Sequence, residues 1–169
     1  MFSDNRFGEQ KMENNMSTQL PDRILKDGEW MDLYSNPLEQ YWIVSRKSRP
    51  AFYPRFNCKR GYVATWEIKD NNLFLNDIVG SFEKRIIFFI KRTASCSLKW
   101  LFPRLTHRHK RVKATWFSGK LRIPLGKILF YEHSGYDSRF EKEQIITVDH
   151  GDILKVVVLD NVQHQLIVQ

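Results

Sequence analysis

The sequence predicts a mainly β (α+β) domain built from successive antiparallel hairpins, arranged as a β-sandwich or an open barrel. Three observations predict it. Short runs of alternating apolar and polar residues recur along the chain, and Asp-Gly or Asn-rich turn signals separate several of them. Aromatic residues make up 14% of the chain, with twelve Phe, six Tyr and five Trp, and such side chains suit half-buried pleated strands. Consecutive hairpins without intervening long helices lead to antiparallel sandwiches and barrels rather than doubly wound sheets. At 169 residues and 42% hydrophobic, the chain supports one well-buried core, so residues 21–169 are read as a single β-rich domain.

Residues 1–20 are polar and unpatterned, with internal methionines at Met12 and Met16, and read as a disordered arm outside the fold. The first hairpin runs from Arg23 to Leu33 around Asp27-Gly28, a two-residue turn signal between apolar runs. Asn36 as cap, Pro37 in the first helical position and Glu39 two residues on predict a short helix through Tyr41-Trp42. Residues 45–59, with two prolines and no period, read as a surface loop. Strands follow over 61–68 and 73–78 about Asp70-Asn71-Asn72. A similar unit returns fifty residues later as Val112–Phe117, a turn at Ser118-Gly119 and Lys120–Ile128, and Ala64-Thr65-Trp66 matches Ala114-Thr115-Trp116. The match predicts an internal duplication of a β-hairpin. Between the copies, Phe82, Ile86, Phe89 and Ile90 fall at helical spacing, and Leu98–Leu105 forms a second apolar patch stopped by Pro103. That predicts a helical insertion near residues 82–105. The last hairpin joins 144–148 to 153–159 across Asp149-His150-Gly151-Asp152, with 165–168 as a final strand.

Charge is concentrated in one stretch. The chain has 27 Lys and Arg against 19 Asp and Glu; residues 84–113 hold ten of the cations and no acid, so the remainder carries 17 against 19. A basic segment of this kind is a candidate face for a polyanion or an acidic protein. Its cations, Lys84, Arg85, Lys91, Arg92, Lys99, Arg104, Arg108, Lys110, Arg111 and Lys113, are the candidate binding residues. Trp100 and Phe102 lie among them, as stacking on single-stranded nucleic acid would require, although such aromatics are more often the apolar side of the same helix.

Other chemistries are weaker. His107 and His109 lack a third ligand in the segment, so no metal site is expected. Cys58 and Cys96 have no paired-cysteine spacing, and the N-terminus has no leader-like apolar run, which points to a reducing cytoplasm. The longest apolar run, Ile86–Ile90, is far short of the roughly 18 residues a membrane helix needs, so no membrane partner is expected. No nucleophile elbow, zinc-protease or phosphate-loop pattern occurs, and no cofactor or catalytic residue is expected. Asp149 and Asp152 are accounted for by turn geometry. Trp66 and Trp116 either line a cleft or pack the core, and packing is the favoured reading.

The segments Tyr34–Trp42 (YSNPLEQYW), Arg60–Ile68 (RGYVATWEI) with Leu73-Phe-Leu75, and Ala114–Pro124 resemble a group of small uncharacterised bacterial proteins over about residues 23–160. The resemblance implies a stand-alone bacterial cytoplasmic domain and carries no activity.

The expected function is therefore a non-enzymatic binding module, of the immunity or inhibitor type, that caps an acidic protein partner. The alternative is a nucleic-acid-binding protein using residues 84–113. A second alternative is an enzyme acting on a phosphorylated or nucleotide substrate through Arg60 and the His133–Glu143 loop.

Overall fold

The computed structural model describes residues 19–87, 90–106, 110–132 and 136–162. The first hairpin forms as expected, with β1 (Asp22–Lys26) antiparallel to β2 (Glu29–Leu33). Its two turn residues, Asp27 and Gly28, both take positive φ, 53° and 84°, the geometry of a tight turn whose twist matches the strands. Helix α1 (Pro37–Ser45) follows and buries Leu38, Tyr41 and Trp42. Pro37 opens it as expected, but the Asn36 side chain does not cap it. Instead Asn36 Oδ1 accepts a hydrogen bond from the Tyr136 hydroxyl at 3.1 Å.

Strand β3 (Tyr62–Lys69) then turns through Asp70-Asn71 into β4 (Asn72–Ile87), a long strand whose first half pairs with β3. Its second half pairs with β5 (Ile90–Cys96), and a single helical turn, α2 (Leu98–Leu101), follows. The expected helical insertion near 82–105 is therefore replaced by a β-ribbon and one short helix. The apolar residues at 82, 86 and 90 fit both periods, and β4 simply continues a strand already begun at Asn72. The β-branched pair Ile86-Ile87 and Ile90 favour the extended backbone.

The predicted duplication does not form either. Strand β6 (Val112–Lys113) pairs with β4, not with β7 (Gly119–Phe130). Ala64-Thr65-Trp66 lies within β3, whereas Phe117 N–H donates to Ala114 O at 2.9 Å across a turn holding Ala114-Thr115-Trp116. β7 pairs with β8 (Arg139–Asp149), and β8 with β9 (Asp152–Asp160) around His150-Gly151, whose φ values are 47° and 84°. The expected strand at 165–168 lies outside the described residues, as does nearly all of the N-terminal arm.

The sheet order is β2-β1-β3-β4-β9-β8-β7. It is mixed rather than purely antiparallel, because β1 runs parallel to β3. The two ends approach each other: Tyr34 N–H donates to Arg122 O at 2.8 Å, and Arg122 N–H to Ser35 Oγ at 3.0 Å. This makes a nearly closed barrel, with a narrow join between β4 and β9 where Asn72 faces Asp152. Ile24, Leu33, Trp66, Leu73, Leu75, Leu121, Ile123 and Ile146 are fully buried inside it. α1 is tied to the barrel by Gln40, whose side chain donates to Ser118 O and accepts from Ser118 N–H at 3.2 and 2.8 Å.

Candidate functional site

The nine of the ten predicted cations that are described do not form one face. Lys84, Arg85, Lys91 and Arg92 sit on the β4–β5 ribbon, which runs beyond the barrel wall with residues 83–87 and 90–93 exposed. Lys84 lies opposite Arg92, and Arg85 opposite Lys91. Adjacent strand residues point to opposite faces, so each face of the ribbon carries a like-charged pair. Lys91 is bound to Glu83 at 2.7 Å; among the described residues the other three have no acidic partner. Ile86, Ile87 and Ile90 at the end of the ribbon are 50%, 62% and 50% exposed. The outer edge of β5 has no strand neighbour among the described residues.

Lys99 and Lys110 are exposed but belong to neither strand of this ribbon, Lys99 being on α2 and Lys110 before β6. Arg111 is already committed, with Nη1 2.8 Å from Glu67 Oε2 and its guanidinium 4.6 Å over the Phe74 ring. Lys113 pairs with Asp152 at 2.6 Å. Arg104 and Lys113 border a separate cavity. Arg108, with His107 and His109, lies outside the described residues. Of the aromatic neighbours, Phe102 is buried and stacks on Trp116 at 5.3 Å, whereas Trp100 contacts Phe82 at 4.6 Å and stays 41% exposed.

A buried polar network missed by sequence reasoning crosses the barrel interior. Asp22, fully buried, accepts from Arg60 Nη2 at 2.6 Å, Ala64 N–H at 2.9 Å and Trp66 Nε1 at 3.0 Å. Burial pushes its carboxyl up, opposed by the Arg60 charge and these donors. Arg60 Nη1 donates to the Tyr136 hydroxyl at 2.6 Å, and burial raises that phenol to about 12. The Tyr62 phenol is likewise raised, by burial first and then by Glu39, to which it donates at 2.8 Å. The signal for Asp22 was its phase: on a period of two it shares the inward face of β1 with Ile24. Arg60 and Tyr136 thus meet, as the enzyme alternative required, but both Arg60 terminal nitrogens are used within the core. His133 lies outside the described residues, and Glu143 is held by Arg122 at 2.6 and 2.8 Å instead.

The cavity lies between α1, the turn after α2 and β6. Its volume is about 590 Å³, and its lining includes Tyr41, Phe102 and Trp116. Trp116 therefore reaches a cleft, while Trp66 is a core residue. Cys58 and Cys96 are buried free thiols, and burial pushes Cys96 up to about 12. Among the described residues no group of three His, Cys, Asp or Glu could hold a metal ion, and no helix is long and apolar enough to cross a membrane.

No family model, curated protein or solved structure matches the chain.

Proposed function

We infer that this chain is a non-enzymatic binding module that engages an acidic protein through its β4–β5 ribbon. The observation that carries the reading is the combination of an exposed apolar end, cations on both faces and a free β5 edge in one protruding element. Like charges facing each other across a two-stranded ribbon destabilise it. An acidic surface would relieve that repulsion, and an apolar recess would take Ile86, Ile87 and Ile90 out of water.

The free edge separates a protein partner from a bilayer. Unpaired strand N–H and C=O groups have no partner in hydrocarbon, whereas a protein supplies them by adding a strand. Nucleic acid is the weaker reading. Arg111 and Lys113 are neutralised by carboxylates, and of the two aromatics offered for base stacking Phe102 is buried against Trp116, which leaves Trp100 alone exposed.

The test is a photo-crosslinking residue at position 87 in the full chain, expressed in its native host. Discrete protein adducts that vanish in the K84E/R85E/R92E variant, with an acidic patch on the captured protein, support the reading. Adducts unchanged by charge reversal would overturn it. So would binding of phosphatidylglycerol vesicles, or of RNA with a steep salt dependence, that the same substitutions abolish.

A further inference from the structure

The cavity beside α1 belongs to neither the ribbon nor the interior polar network. Its floor is aromatic. Phe102 stacks on Trp116 with ring centroids 5.3 Å apart and planes 15° from parallel, and Tyr41 meets both rings at 4.9 and 5.0 Å. Trp116 is held in place by its own indole N–H, which donates to Pro37 O at 3.2 Å. An aromatic lining of this kind favours a planar apolar body, since offset stacking and edge contacts add to the burial itself.

The border of the cavity has one sign of charge. Lys47, Arg104 and Lys113 line it, and among the described residues no Asp or Glu does. Lys113 is neutralised by Asp152. Lys47 Nζ donates to the Tyr41 hydroxyl at 2.7 Å and so sits at the edge of the aromatic floor. Arg104 is exposed, and among the described residues it has no carboxylate partner. Ser45, on the same wall, has a hydroxyl without a hydrogen-bond partner among the described residues. A cavity of about 590 Å³ falls in the size range of small-molecule sites, roughly 300–1,000 Å³.

We propose that this cavity is a binding site for a small aromatic carboxylate, its ring system against Phe102 and Trp116 and its carboxylate toward Arg104 and Lys47. Arg104 supplies a planar pair of donors that fits a carboxylate with two parallel hydrogen bonds. Lys47 contributes charge at a second point of the rim. The site stands independently of the ribbon.

The experiment is calorimetric titration of the full chain with 2-naphthoate and with neutral 2-naphthamide, together with amide and indole chemical-shift mapping. The expected result is saturable one-to-one binding of 2-naphthoate, at least tenfold tighter than the amide, with a shift of the Trp116 indole N–H resonance. R104E should weaken it at least tenfold. V44W, placed on an exposed α1 position at the cavity wall, should abolish it without lowering the unfolding midpoint. The ribbon variant K84E/R85E/R92E should bind 2-naphthoate normally. Equal affinity for acid and amide, retained binding in V44W, tighter binding of decanoate than of 2-naphthoate, or no saturation at millimolar ligand would each overturn the proposal.

Discussion

Asp22 shows how much one side chain organises in this fold. Its carboxylate receives donors from the Arg60 side chain, the Ala64 backbone and the Trp66 indole, so it ties β1 to β3 and to the segment before β3. A buried ion pair is poor evidence of net stabilisation, yet removing one member leaves the other charge uncompensated. Asp22→Ala should therefore cost about 3–5 kcal/mol, read as a lower urea midpoint with little change in slope. Asp22→Asn, which keeps the shape and loses the charge, should also destabilise because Arg60 remains buried. If D22A costs less than about 1 kcal/mol, water must reach Arg60 freely. The inward direction of Asp22 was readable from its phase with Ile24 along β1. Its charged partner was not, because Arg60 precedes the periodic run of β3, and the Tyr136 that Arg60 binds in turn comes from a segment without periodicity.

At the scale of elements, pairing explains what periodicity left open. β4 is sixteen residues long and serves successive neighbours, β9 and β6 near its start and β5 over its second half. A sequence window over 84–92 sees only apolar and basic residues at spacings that either period accepts. The preceding strand and the β-branched isoleucines decide the matter. β7 and β8 illustrate a second kind of pairing, in which Arg122 donates to both Glu143 oxygens and to the Ser138 and Tyr136 carbonyls. The hydrogen bonds from Arg122 hold the Glu143 carboxyl below its usual value. A depressed folded-state pKa contributes stability that is complete above the unfolded value, about 4.3, and is lost as pH falls through the folded value. Urea midpoints measured from pH 7 to pH 3 should thus fall more steeply for the native chain than for Glu143→Gln. Parallel profiles for the two would remove this pair from the acid sensitivity.

The whole molecule separates a folding part from a protruding part. The core cluster reaches Phe82 and Cys96 on this ribbon, and residues 84–87 and 90–92 lie past it, exposed. Replacing 84–92 by Asn-Gly, so that Glu83 and Thr93 flank a two-residue turn, should leave the unfolding midpoint within about 2–3 °C, because surface changes of this kind fall within about 0.5 kcal/mol. A large drop would mean that the ribbon braces α2 and the barrel through Trp100. With the crosslinking residue moved to the exposed Ser95, outside the replaced stretch, the same replacement should abolish the adducts, which separates loss of binding from loss of fold.

The sequence by itself determined the strand-rich class, the two-residue turn at Asp27-Gly28 and the turns within Asp70-Asn71-Asn72 and Asp149-His150-Gly151-Asp152, the start of α1 and the concentration of cations in residues 84–113. Each is a local property: a residue able to take positive φ, a proline suited to a first helical turn, or a count of charges. Only the tertiary structure decided the parallel β1–β3 pairing, the closure of β2 onto β7 and the different conformations of the two Ala-Thr-Trp triplets. It also divided the cations between an exposed ribbon, ion pairs and a cavity rim. Those outcomes depend on contacts between residues far apart in the chain, such as Glu67 with Arg111 and Tyr34 with Arg122, and no local pattern encodes which distant partner a strand or a charge will meet.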